Sequence, residues 1–196
     1  MSGGDVRTIV AADLHGVSAA LRSLLAPFVG EAIYVSPWDG DRCPFANEQQ
    51  AHAALLAKNG IASYADKISA AAGDEPAFII AFSVGASAAW LHAASGRGHA
   101  ASRATLFYGS RIRDYAALTP RFDVSAVFAE GEASFSPVRL ARRIASERVQ
   151  TCVEAGTRHG FMNPRSPNYA PARCSAQLQK LALALAEFRA GLAAPQ

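Results

Sequence analysis

Ser83 stands in the stretch Ala81-Phe82-Ser83-Val84-Gly85, where an apolar run gives way to a small-residue segment of helical composition. An isolated serine hydroxyl is a poor nucleophile at neutral pH and needs a neighbouring imidazole to take its proton. A sharp strand-to-helix turn, with small residues two places to either side, lifts such a hydroxyl above a sheet and sets it at the start of a helix. Ala81 and Gly85 supply the small residues, so the pattern is A-x-S-x-G rather than the fuller G-x-S-x-G. The helix dipole and the N–H of Val84 then face any anion that forms there. The same spacing also suits a plain tight turn, so the chemistry depends on where a base and an acid lie.

Five histidines are available. His52 and His92 fall inside predicted helices, His99 lies in a glycine-containing loop, and His15 follows the first predicted strand. His159, in Gly156-Thr157-Arg158-His159-Gly160-Phe161-Met162, follows the last predicted strand and can reach over the sheet edge toward Ser83. The third member of such a set is a carboxylate that holds the imidazole in one tautomer. The chain order Ser, acid, His places it after the fifth strand. The segment Ala129-Glu130-Gly131-Glu132-Ala133-Ser134-Phe135-Ser136-Pro137 contains no aspartate. Glu132, further into the loop, is the preferred candidate and Glu130 the alternative; both also read as solvated loop residues. Asp123 begins the same strand and belongs at the opposite end of the sheet.

These side chains need a scaffold. Six apolar runs read as strands: 7–12, 32–36, 77–82, 104–108, 125–129 and 150–154. Several are apolar throughout rather than alternating, as in strands buried on both faces of a mostly parallel sheet. Helical patterns fill the gaps at 17–26, stopping before Pro27; at 45–58, ended by Asn59-Gly60; and at 64–72. Others run over 84–95, closing at Gly96; over 137–147, opening on a proline; and over 172–192. Leu178, Leu181, Leu185 and Phe188 share one stripe of the last helix, which is expected to pack on the sheet. The rhythm predicts one α/β domain spanning 1–196, with right-handed crossovers and a frayed tail at 193–196.

The totals agree. The chain has 196 residues, of which 51% are hydrophobic and 18% charged, as in a globular domain with a real core. A net charge of +3, with scattered arginines, argues against nucleic acid as a partner. No apolar run approaches the ~20 residues that cross a bilayer. The opening MSGGDVRTIVAADLHG turns polar too early for a signal peptide, so a cytoplasmic location is expected. Cys43, Cys152 and Cys174 lack paired spacing and are read as packing residues.

With these residues in view, the chain resembles the dienelactone hydrolase family of α/β-hydrolases over nearly its whole length. Asp13-Leu14-His15-Gly16 is similar to the family's E-x-F-G segment after its first strand. Ala81-Phe82-Ser83-Val84-Gly85 is similar to its nucleophile segment G-F-C/S-x-G-G, and Phe107-Tyr108-Gly109 to the Y-G after the next strand. His159-Gly160-Phe161-Met162-Asn163-Pro164 is similar to its H-G-F segment, the most specific of the four. The resemblance implies a compact α/β-hydrolase fold, with about six or seven mostly parallel strands between helices and little or no lid. It implies Ser83 as the acyl carrier, His159 as the base, and Leu14 and Val84 as oxyanion-hole N–H donors. Asp13 takes the place of a carboxylate that the family holds beside its nucleophile, to order Ser83 or to cap the following helix.

The chain departs from the pattern in three places. Serine stands where the family's namesakes have cysteine, and Ala81 and Ala86 replace two glycines. Aligned from Ala129, Glu132 takes the aspartate's place; aligned back from Phe135 and Pro137, Ser134 takes it and no acid remains. The short chain leaves little length for a lid, so a shallow pocket and a small substrate are expected. Asp13, Trp38, Arg111 and Phe161 are the candidate substrate contacts, with Phe45 a further wall and Arg42 and Arg165 in comparable loops. The expectation is a monomeric or homodimeric hydrolase of a small ester or lactone, needing no cofactor or metal. Its rivals are an acyltransferase with the same residues, and a binding or regulatory protein that keeps the fold without a proper acid.

Overall fold

The computed structural model describes residues 6–57 and 60–193. Six strands form one parallel sheet in the order β2-β1-β3-β4-β5-β6: β1 Arg7–Ala11, β2 Ile33–Val35, β3 Ala77–Phe82, β4 Arg103–Phe107, β5 Asp123–Gly131 and β6 Val149–Arg158. The helices are α1 Ala19–Val29, α2 Glu48–Ala57, α3 Gly60–Ala72, α4 Val84–Ser95, α5 Pro137–Ile144 and α6 Pro171–Ala193.

Apolar runs without alternation become central strands because both sheet faces are covered. Ile9, Ala11, Ile79, Ala81, Leu106 and Phe128 pack beneath α3, α4 and α5 on one face. Their neighbours Val10, Phe78, Ile80, Phe82, Phe107 and Val127 pack beneath α1 and α6 on the other. β3 is buried at every residue, and α6 docks through the expected stripe of Leu178, Leu181, Leu185 and Phe188. The chain runs outward from β1 to β2 and then returns to β3 on the far side of β1. That reversal opens a crevice beyond the carboxyl ends of β1 and β3, where ligands bind in open α/β sheets.

Several boundaries differ from the sequence expectation. α1 continues through Pro27 to Val29, with the proline in its last turn. The buried side chains of Leu25 and Val29 hold that turn on the second core layer, and the chain leaves at Gly30 with φ 67°. Gly60 opens α3 instead of closing α2, whereas Lys58 and Asn59, expected at that stop, lie outside the described residues. Residues 194–196 of the expected frayed tail, and residues 1–5 of the opening segment, also lie outside them. α5 stops at Ile144, where Ala145 turns extended and Ser146 bridges back to Val149. A 3-10 turn at Ser110–Tyr115 follows β4. Cys174 is buried, but Cys152 is exposed on β6 and is not a packing residue. Among the described residues, no helix is long and apolar enough to cross a membrane.

Candidate active site

Ser83 directly follows β3 and precedes α4, with φ 53° and ψ −114°. A non-glycine residue there is strained by an amount on the order of 1–3 kcal/mol and must be held by its surroundings. The hold is visible. The Ser83 N–H donates to Phe107 O at 2.9 Å, and its carbonyl accepts from Ser87 N at 3.1 Å and from Ser87 Oγ at 3.3 Å. Gly85 lets α4 sit against β1, because a Cβ there would lie 2.5 Å from Ala12 O and 2.6 Å from Ala11 O. Ala81 and Ala86 are fully buried at this junction.

His159 follows β6 immediately, and its Nε2 lies 2.8 Å from Ser83 Oγ. Its Nδ1 lies 2.7 Å from Glu132 Oε1, whose side chain is only 7% exposed. An ionised carboxylate only accepts, so Nδ1 carries the ring proton and Nε2 turns its lone pair to the serine hydroxyl. Two contacts and one turn orient the ring and its loop. Tyr108 presents its ring edge-on at 5.1 Å, Asn168 Nδ2 donates to His159 O at 3.0 Å, and Gly160 takes φ 82° in the turn that follows.

The strand pairing is irregular beside the acid. β5 runs beyond the expected end at Ala129, and its register with β6 shifts between Ala129 and Gly131. Glu130 alone there faces Ala155 to Thr157 of β6, and its Oε2 accepts from Gly156 N at 2.9 Å, while Glu132 reaches the imidazole. Asp123 lies at the first residue of β5, the far end of the strand, as expected.

Asp13 and Leu14 follow β1. Asp13 Oδ1 accepts from His15 N at 2.9 Å, and its Oδ2 accepts from Asn163 Nδ2 at 2.6 Å. Burial pushes the Asp13 carboxyl above its ordinary range, against the favourable influence of His15, Asn163 and His159. Asn163, which sequence reasoning passed over, thus ties the histidine loop to the loop after β1. The only clue to it is its place four residues beyond His159.

An open cleft of about 760 Å³ collects these groups. Asp13, Leu14, Ser83, Val84, Tyr108, Arg111, His159 and Asn163 line it, together with His15, Glu48 and His52. The cleft is open, and Glu48, Gln49, His52 and Ala53 of α2 border it. Arg111 pairs with Asp114 at 3.1 Å and approaches His52 Nε2 at 3.5 Å. Burial, with Arg111 and Arg113 nearby, lowers the basicity of His52. Leu14 and Val84 both border the cleft beside Ser83, and Val84 is the first residue of α4, where N–H groups lack intrahelical acceptors.

None of the three expected aromatic walls lines it: Phe45, with Arg42 and Arg165, borders a neighbouring pocket instead. Phe161 is fully buried and packs edge-on against Tyr108 at 5.5 Å, supporting the shelf under His159. Trp38 packs on the core near Phe45, and its indole N–H donates to Leu14 O at 2.9 Å. Among the described residues, no group of three or more His, Cys, Asp or Glu side chains is placed to hold a metal ion.

No protein-family profile matches the chain, and no curated protein matches it in sequence. Solved structures do resemble it. A Klebsiella pneumoniae protein assigned as a dienelactone hydrolase superposes with a TM-score of 0.73 at 20% identity, over 96% of this chain and 88% of its own. A dienelactone hydrolase-like promiscuous phosphotriesterase from metagenomic libraries gives 0.68 at 14% identity, over 96% and 88%. A cold-adapted esterase from an Arctic intertidal metagenomic library gives 0.58 at 16% identity, over 93% and 84%. The chain therefore has the α/β-hydrolase fold, in the arrangement of the dienelactone hydrolase-like proteins.

Proposed function

We propose that the chain is a serine hydrolase of small carboxylic esters or lactones. The observation that carries this reading is the unbroken relay from Ser83 Oγ to His159 at 2.8 Å and from His159 to Glu132 at 2.7 Å. The relay sits at the crevice between β1 and β3, at the N-terminus of α4. The likeness to solved hydrolases supports the scaffold, and the residues support the chemistry.

Ser83 Oγ attacks the substrate carbonyl carbon while its proton passes to His159 Nε2. The imidazolium that forms is stabilised by Glu132, which stays ionised. The carbonyl oxygen becomes an oxyanion and accepts from the N–H groups of Leu14 and Val84; such donors are commonly worth ~3 kcal/mol each. The tetrahedral species collapses, the C–O bond to the leaving alkoxide breaks, and His159 returns the proton to that oxygen. Water then repeats the sequence on the acyl-enzyme, releasing the acid and restoring the serine hydroxyl. A lactone gives one hydroxy acid by the same steps. Arg111 is the cleft's cationic substrate contact, and Asp13 orders the loop that carries Leu14.

A fluorophosphonate probe tests the reading. Labelling should map to Ser83 and vanish in Ser83→Ala, together with p-nitrophenyl acetate turnover. Wild-type protein that takes no label and hydrolyses no ester faster than buffer would refute it. Trapping of the acyl group by an added alcohol or amine in preference to water would make the chain an acyltransferase instead.

A further inference from the structure

The indole of Trp38 lies outside the cleft lining but holds one of the proposed oxyanion donors, and we infer that Trp38 is a positioning residue for the oxyanion hole. The inference rests on the hydrolase reading above. By that reading Leu14 offers its N–H from the turn Asp13–Gly16 that follows β1, so its two flanking peptides must be fixed.

On the N-terminal side the fixing is done by the sheet and by Asp13. Ala12 N donates to Val35 O at 3.0 Å, and the Asp13 carboxylate accepts from His15 N across Leu14. On the C-terminal side, the Leu14 carbonyl accepts from Trp38 Nε1–H at 2.9 Å. Among the described residues no other donor reaches that carbonyl. The N–H of Leu14 and the carbonyl of Asp13 share one peptide, held by the bond from Gly16 N to Asp13 O at 3.0 Å; the Trp38 bond holds the next peptide, so the residue between them cannot shift without straining one or the other.

The anchor is itself immobilised. Trp38 N donates to Ser36 Oγ at 3.1 Å, and Lys67 Nζ donates to Trp38 O at 2.7 Å. The ring packs against the core and tilts on Phe45 at a centroid distance of 5.3 Å. The loop after β2 thus carries a rigid N–H donor to the back of the loop after β1. Correct placement of an oxyanion donor matters to within a fraction of an ångström, because its worth depends on distance to the developing charge.

Trp38→Phe removes the N–H and keeps a ring at the position. The expected result is a fall in kcat of about tenfold, against the 10²–10³-fold loss typical of deleting a donor outright. KM for p-nitrophenyl acetate and the pH profile of kcat should stay close to wild type. The decisive readout compares an ester with its thionoester, whose sulfur is a weak hydrogen-bond acceptor and draws little on the oxyanion hole. The wild-type preference for the ester should shrink in Trp38→Phe by the same factor that kcat falls. If the phenylalanine variant does not fold, benzothienylalanine at position 38, isosteric with tryptophan but lacking the N–H, replaces it in the same comparison. Equal losses on both substrates, or none on either, in an active enzyme overturn the positioning role alone. A wild type that hydrolyses neither substrate and takes no fluorophosphonate overturns the hydrolase reading and this inference with it.

Discussion

Replacing the Glu132 carboxylate by an amide leaves the shape of the acid loop but removes the charge that faces the imidazolium. Glu132→Gln should lower kcat for p-nitrophenyl acetate by about 10³–10⁴-fold, the loss expected when the base is free to adopt the wrong tautomer. Glu130→Gln should leave kcat essentially unchanged, because that carboxylate serves the backbone of Gly156. A second residue responds to pH from outside the cleft. Ser69 Oγ gives its one proton to Ala65 O at 2.9 Å, so His92 Nδ1–H must donate to Ser69 at 2.8 Å. His92 Nε2 is then a buried lone pair without a partner among the described residues. Burial first, and the positive charge of Arg97 second, lower the His92 pKa from 6.5 to about 4. The unfolded chain takes this proton near its ordinary pKa and the folded chain does not, so stability is full above that value and declines as pH falls toward 4. The decline amounts to at most about 3 kcal/mol. Urea denaturation across this range should show it, and His92→Leu should flatten it. Ser83 and His159 were readable as a pair from their local motifs. The acid was readable only as a preference for Glu132 over Glu130, because no residue type announces the irregular pairing where one residue of β5 faces three of β6. Trp38 and Phe161 look alike in sequence as aromatic walls; only packing distinguishes a wall from a support.

At the scale of elements, the close approach of α4 to β1 is what lets Ser83 turn so sharply. Gly85→Ala would drive a methyl into the carbonyls of Ala11 and Ala12. The helix must back away, with an expected destabilisation of about 1–3 kcal/mol and a larger proportional loss of esterase activity. Thermal melts and kcat on one preparation check both. The central strands were legible because continuous apolar runs have no other home than a doubly covered sheet. β6 beyond Glu154 was not: exposed and buried residues mix along an edge strand, and Ala155 to Arg158 carry no apolar run. The 3-10 turn at Ser110–Tyr115 escaped for a related reason, since six residues with one buried side chain leave no periodicity to read. Pro27 signalled a stop that the packing of Val29 overrode.

Across the whole molecule, the cleft is assembled from chain segments after β1, β3, β4 and β6, with α2 as a further wall. Chain length underlies the expectation of little or no lid, but it says nothing of the wall that the short helix α2 supplies. The strand order also carries a cost for the imidazole. β6 is last in the sheet and is bonded to a neighbour on one flank only, and His159 hangs from its end. Serine and base therefore belong to regions of unequal robustness, one rooted in the middle of the fold and the other at its margin. Segments so placed open locally before the rest gives way. In a urea titration, turnover should vanish at a lower midpoint than the far-ultraviolet signal, whereas coincident midpoints would mean that the rim and the centre melt as one body.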